Sequence, residues 1–237
     1  MSLWNDGFPI PVWMLFEDRL CKHDVVGSVC KSWREDVKDD EWYKPRDCKE
    51  CLMTCSASNG YLSRMKYSNE IKRAWSARTC AVAAGKGHLQ CLKWFHKNGC
   101  PWNLMSTTRA VLNGHLNCLK YLHENGCEWH MRISQTACRY GHLNCLKYLH
   151  ENGCSMYYTA IIAAQLNQLD CLKYVIDIDE YVCPELVCIA ASGCGSLDCL
   201  IYAHEECHGE ITETTLRRAI RKGHLNCITY IQRHLNT

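Results

Sequence analysis

One fourteen-residue string, GHLNCLKYLHENGC, occurs at 114–127 and returns unchanged at 141–154, 27 residues later. A chain that repeats at such a period stacks copies of one small unit, because a single unit cannot bury its own apolar face. Weaker copies extend the series: GHLQCLKWFHKNGC at 87–100, QLDCLKYVIDID at 168–179, SLDCLIYAHEEC at 196–207 and GHLNCITYIQRH at 223–234. Aligning them on one leucine gives the anchors Leu89, Leu116, Leu143, Leu169, Leu197 and Leu225, in steps of 27, 27, 26, 28 and 28 residues. GYLSRMKYS places Leu62 a further 27 residues upstream, so seven units tile most of the 237 residues.

Within a unit the apolar positions fall at the anchor and at two, three, five and six residues beyond it, a broad stripe on one helix. The second position is cysteine in all six clear copies (Cys91, Cys118, Cys145, Cys171, Cys199, Cys227), and the fifth is aromatic, as in Tyr121 and Tyr148. Asn or Gln one residue on, and Lys four on, are expected to face water. Asn-Gly closes three of these helices, at Asn98-Gly99, Asn125-Gly126 and Asn152-Gly153, where glycine can take the left-handed cap conformation. Six residues before the anchor stands alanine every time, at Ala83, Ala110, Ala137, Ala163, Ala191 and Ala219. A small, helix-favouring residue there predicts a second, closely packed helix. Thr79, Ser106, Ser134, Thr159 and Thr215 suit the start of that helix. The expected fold is all-α: a solenoid of about seven helix-loop-helix units of 26–28 residues.

Cysteine accounts for 20 residues, a density typical of disulfide scaffolds in short secreted chains. Here the period explains much of it: six follow an anchor by two, and Cys100, Cys127 and Cys154 follow Asn-Gly. Equivalent buried positions on successive units do not face one another at bonding distance. MSLWNDGFPIPVW lacks the basic start and apolar run of a secretory signal, and no stretch approaches the roughly 18 apolar residues of a membrane span. A reducing, cytoplasmic setting is therefore expected, with free cysteine acting as a small hydrophobe. Lys and Arg number 27 against 25 Asp and Glu, a net +2. That balance argues against nucleic acid as a partner despite the cluster Arg217, Arg218, Arg221 and Lys222.

The string TACRYGHLNCLKYLHENGC (136–154) resembles the second half of an ankyrin repeat: a short alanine-rich helix, Gly-His-Leu, then a longer aliphatic helix closing on glycine. Ankyrin units run about 33 residues. The shortfall lies between units, so the resemblance implies that the projecting β-hairpin is lost or reduced to a tight turn.

Residues 1–46 carry none of this period. Val12, Leu15, Phe16 and Leu20 share one helical face, Asp24 could cap a second short helix, and Val29, Cys30, Trp33 and Val37 line a third. Three helices in so few residues form a core too small to stand alone. The segment resembles an F-box through Pro9, Leu15, Phe16, Leu20, Asp24, the VCKSWR string (Val29 to Arg34) and Trp42. It departs from the pattern at Phe8, at Pro11 and in the short gap between Asp24 and Val29. An F-box-like domain at 8–46 followed by ankyrin-like units at 47–237 resembles the F-box/ankyrin proteins of giant DNA viruses of amoebae, such as pandoraviruses. The resemblance implies a monomeric substrate receptor of a Skp–cullin–F-box ubiquitin ligase in the host cytoplasm. Pro9, Leu15, Phe16, Leu20, Val29, Cys30 and Trp33 would dock on the Skp-type adaptor, and the solenoid would hold a protein target. The alternative is a stand-alone scaffold whose N-terminal helices only cap the solenoid.

Chemistry beyond binding finds little support. GxGxxG, G-x4-G-K-S/T, GxSxG and HExxH are all missing, and neither cofactor nor catalytic residues are expected. His88, His115, His142 and His224 recur one per unit, so they are spaced along the stack instead of converging on a metal; hydrogen bonding across the inter-helix loop is the expected role. Cys48, Cys51 and Cys55 have a spacing close to a zinc half-site, yet no second half follows, and no metal is assigned. Target-binding candidates come from positions that vary between units. Three and four residues before the anchor stand Lys86, Asn113, Arg139, Tyr140, Gln165, Arg221 and Lys222, and the inter-unit turns differ at Trp102, Trp129 and Tyr157. Arginine and aromatics are the types enriched at binding hot spots, which selects Trp102, Trp129, Arg139, Tyr140 and Tyr157. Trp102 and Trp129 have a second reading, as plugs for the groove left by the missing hairpin.

Overall fold

A helix ends where its next residue must leave right-handed space, and this chain imposes that ending after each first helix and, at Gly99, Gly126 and Gly153, after three of the second helices. In the computed structural model, which describes residues 51–62, 65–66 and 75–235, the residue two before each anchor has positive φ: +74° at Gly114, +72° at Gly141 and +77° at Gly195. The following N–H then turns back to the carbonyl of the periodic alanine, as in His115 to Ala110 (2.8 Å), His142 to Ala137 (2.9 Å) and Ser196 to Ala191 (3.0 Å). This is the Schellman closure. The alanine six before the anchor, the left-handed residue and the histidine after it are thus parts of one cap. Asn-Gly-Cys repeats the device at the second helix: Cys127 donates to Leu122 O and Cys154 to Leu149 O, both at 2.9 Å.

The chain divides into two compact units, Met1–Trp102 and Asn103–Thr237. In the first lie α1 (Cys51–Asn59), α2 (Ala77–Gly85) and α3 (Leu89–Lys97). In the second lie five helix pairs: α4 (Leu104–Leu112) with α5 (Leu116–Glu124), α6 (Ile133–Arg139) with α7 (Leu143–Glu151), α8 (Thr159–Gln165) with α9 (Leu169–Ile178), α10 (Pro184–Cys194) with α11 (Leu197–Glu205), and α12 (Glu213–Lys222) with α13 (Leu225–Leu235). No strand occurs among the described residues. Within the second unit, each first helix packs on the first helix of the next pair and each second helix on the next second helix. The F-box-like segment with its docking residues lies outside the described residues, as do Cys48 and the side chains of Cys51 and Cys55.

The core is narrower than the stripe predicted. Positions two, three and six after the anchor are fully buried in α5, α7, α9 and α11, as in Cys118, Leu119 and Leu122 or Cys145, Leu146 and Leu149, together with every periodic alanine. Burying each such leucine stabilises the fold by about 1.5–3 kcal/mol. The anchors themselves are half-buried in α5, α7, α9 and α11. Leu225 of the final pair is 73% exposed, so the anchor's cover comes from the pair that follows.

Helix starts differ from the reading in register. Asn103 caps α4 by accepting the Met105 N–H (3.0 Å), and Thr212 forms a reciprocal capping box with Thr215 at the start of α12. Ser76 and Thr79 do the same for α2. Thr79, Ser106 and Thr215 therefore lie three residues inside their helices. The sequence pattern of small hydroxyls could not separate a cap from a buried first-turn residue. Neighbouring buried hydroxyls tie down the loops: Thr107 donates to Glu128 O (3.0 Å) and Ser134 to Ser155 O (2.6 Å). Each tether pulls the post-helix loop onto its own pair, in the place where the hairpin was expected to be missing.

Gly114 carries a second constraint. A Cβ there would lie 2.6 Å from Nδ1 of His142, whose ring covers it, whereas a Cβ on Gly126 would meet nothing within 4 Å. Gly126→Ala should cost only the left-handed backbone strain, about 1–2 kcal/mol. Gly114→Ala should cost at least about 1 kcal/mol more, because the ring and its hydrogen bond are displaced. Urea unfolding of the two variants measures the difference, and equal losses would show that the ring yields freely.

Candidate protein-interaction surface

Where histidine precedes the anchor, as at His88 and His142, it reaches the preceding pair, farther than its own inter-helix loop. His142 Nε2 lies 3.1 Å from Leu112 O, and in the first unit His88 Nε2 lies 3.0 Å from Ser58 O. Both carbonyls sit four residues before the preceding anchor. Serine serves the same bond once, with Ser196 Oγ donating to Gln165 O at 3.2 Å. These bonds fix how successive first-helix ends align.

That alignment presents the variable positions as a row. Asn113, Arg139, Tyr140, Gln165, Arg221 and Lys222 are all exposed at the C-terminal ends of α4, α6, α8 and α12. Tyr140 stacks beside the His142 ring at 6.5 Å between centroids and stays 49% exposed. Toward the last pairs the row opens into a hollow of about 190 Å³ lined by Gln165, Ala190, Gly193, Arg218, Arg221 and Lys222. Three cations without an acidic partner lining it give this hollow a positive field.

The other candidates lie elsewhere. Trp129 is half-buried and rests on the His123 ring, 4.0 Å between centroids. In the first unit Trp102 repeats that contact with His96, also at 4.0 Å. Each ring thus packs the inter-pair loop against the preceding helix. Tyr157 is 68% exposed beside Tyr158, at 4.2 Å between centroids. Arg139 and Tyr140 are thus adjacent on one surface, while Trp102, Trp129 and Tyr157 belong to loops.

The second helices carry a different, repeated arrangement. His123 Nδ1 meets the Tyr148 hydroxyl at 2.9 Å and His150 Nδ1 meets Tyr174 at 2.8 Å. Lys120 and Lys147 extend over the same rings at 5.4 Å, so the lysines expected to face only water also make cation–π contacts. Burial, then the nearby Glu124, raises the Tyr148 hydroxyl above its usual range. Sequence reasoning missed these rungs. Their signal was present as Tyr five and His seven residues after the anchor, but the partners lie about 25 residues apart.

Among the described residues 15 cysteines are free thiols. Burial pushes Cys118 and Cys145 up to about 11, and Cys199 rises to about 12 through burial and then Asp198. Cys138 is raised first by its hydrogen bond with Cys171 and then by burial. Such thiols are held protonated, the opposite of what a nucleophile requires.

The family described as ankyrin repeats in three copies matches residues 80–160 and again residues 104–184. Residues 80–184 are thus similar to ankyrin repeats. Among solved structures, the chain is similar to the human ASB11 ankyrin repeat domain, with a TM-score of 0.60 at 15% identity, covering 76% of this chain and 96% of that one. A search of the curated proteins finds no match. The ankyrin fold is typically a non-enzymatic scaffold that binds protein partners, and no helix among the described residues is long and apolar enough to cross a membrane.

The buried ankyrin thiols set a pH dependence. A thiol pKa raised from 9.0 to about 11 in the folded chain means that the native state keeps its proton longer than the unfolded one. Its contribution is complete below pH 9 and is lost as the pH rises through 11. Stability should fall over that window by on the order of 1 kcal/mol per pH unit for each thiol. Urea midpoints at stepped pH should decline less steeply in Cys118→Ala/Cys145→Ala than in the parent. Identical slopes would show that these thiols titrate as they do in the unfolded chain.

Proposed function

We propose that this chain is a non-enzymatic substrate receptor of a Skp–cullin–F-box ubiquitin ligase, working in the cytoplasm. Residues 8–46 dock on the Skp-type adaptor, and the ankyrin region within 47–237 holds the protein target. The observation that carries this reading is the VCKSWR string (Val29 to Arg34) joined in one chain to ankyrin repeats. Pro9, Leu15, Phe16, Leu20, Val29, Cys30 and Trp33 supply the apolar docking residues.

For the target we assign the first-helix ends: Arg139 and Tyr140 with Arg218, Arg221 and Lys222. Exposure, variation between repeats and positive charge support that choice, and the same charge favours a target presenting an acidic segment. Tyr157 and the half-buried Trp102 and Trp129 extend the candidate set along the loops. No metal, cofactor or nucleic acid enters this function.

Co-purification of the full chain with a Skp-type adaptor tests the assignment. Wild type should retain the adaptor, and Pro9→Ala/Trp33→Ala should lose it while helical circular dichroism stays unchanged. Failure of the wild type to bind removes the ligase role and leaves a stand-alone ankyrin scaffold.

A further inference from the structure

The His–Tyr rung described above recurs at the C-terminal end, with one addition. His204 Nδ1 lies 2.9 Å from the Tyr230 hydroxyl, joining α11 to α13. That hydroxyl donates its single proton to Glu205 Oε1 at 2.8 Å, so one tyrosine orients both His204 and Glu205. The residue pair before it is also repeated, as His123-Glu124 and His150-Glu151. What changes is the position nine residues after the following anchor. It is Asn152 opposite the first rung and Ile178 opposite the second, but His234 opposite the third.

His234 brings a third ligand type to the same place. One nitrogen from each of His204 and His234 and one Glu205 oxygen lie within 4.8 Å of one another. The imidazole centroids are 4.8 Å apart with planes at 70°. His204 is half-buried and the other two are exposed. Beside them α9 and α11 frame a hollow of about 460 Å³ whose lining includes Asp177, Asp198, Glu205 and Glu206 against one cation, Lys173. Its field favours a cation.

We infer that His204, Glu205 and His234 form a binding site for a divalent zinc-class cation that clamps the last two repeats together. Two imidazoles and a carboxylate suit a borderline ion such as Zn²⁺ and leave a fourth position for water. Tyr230 acts as the outer partner that sets ligand orientation. A metal bridge between α11 and α13 would reinforce the Tyr230 contacts that already join these two helices.

Twenty cysteines make thiol binding the competing explanation, so Co²⁺ is the discriminating probe. Titrated into the reduced full chain, Co²⁺ should fill one site with visible d–d bands and no thiolate charge-transfer band in the near ultraviolet. His234→Ala and Glu205→Gln should each weaken it at least about tenfold, with helical circular dichroism unchanged. Zn²⁺ should raise the melting temperature of the parent and leave that of His234→Ala where it was. Absence of binding, a thiolate band carrying the bound metal, or undiminished affinity in either variant would overturn the site.

Discussion

The left-handed residue two before each anchor is where folding within a repeat and stacking between repeats become one problem. It closes the first helix through the alanine carbonyl, and the next repeat's side chain is then laid on top of it. Gly114 lies under His142, and Gly195 lies under His224. The exception explains the rule. Asn167 holds the same left-handed conformation, with φ at 54°, and there the covering residue has shrunk from histidine to Ser196. The space is used: Asn167 donates to Asp198 Oδ2 at 2.8 Å and accepts the Cys199 N–H at 3.4 Å. Glycine stands where a longer side chain arrives, the rings of His142 and His224 over Gly114 and Gly195 and the Gln168 amide over Gly141. Conformation alone is satisfied by asparagine.

From this coupling follows the division of labour among side chains. Alanine, glycine and histidine are spent on aligning repeats, cysteine and leucine on the core, and histidine with tyrosine on the rungs between second helices. What stays exposed lies at the first-helix ends, at Arg139, Tyr140, Arg221 and Lys222. Exposed positions of this kind can change without disturbing the packing.

Much of this was legible in the string itself. The period of 26–28 residues, the apolar stripe that contains the deep positions, and the glycine caps follow from spacing and elementary helix geometry. Three features were not. The caps of α2, α4 and α12 fall three residues earlier than the buried hydroxyls that resemble them, because Ser and Thr suit both places. The anchor leucine looked like core and is only half-buried, since its cover depends on the following pair. The histidine contacts and the His204–Glu205–His234 group depend on how one repeat is offset against the next, which a period cannot supply.

The central claim is that the left-handed cap and its covering side chain act as a unit, and a double-mutant cycle tests it most directly. Gly114→Asn and His142→Ser would be measured singly and together by urea unfolding, transplanting the Asn167/Ser196 arrangement. The account predicts that the asparagine is harmful beside histidine and tolerated beside serine, with a coupling of at least about 1 kcal/mol. Losses that add to within about 0.5 kcal/mol would contradict it.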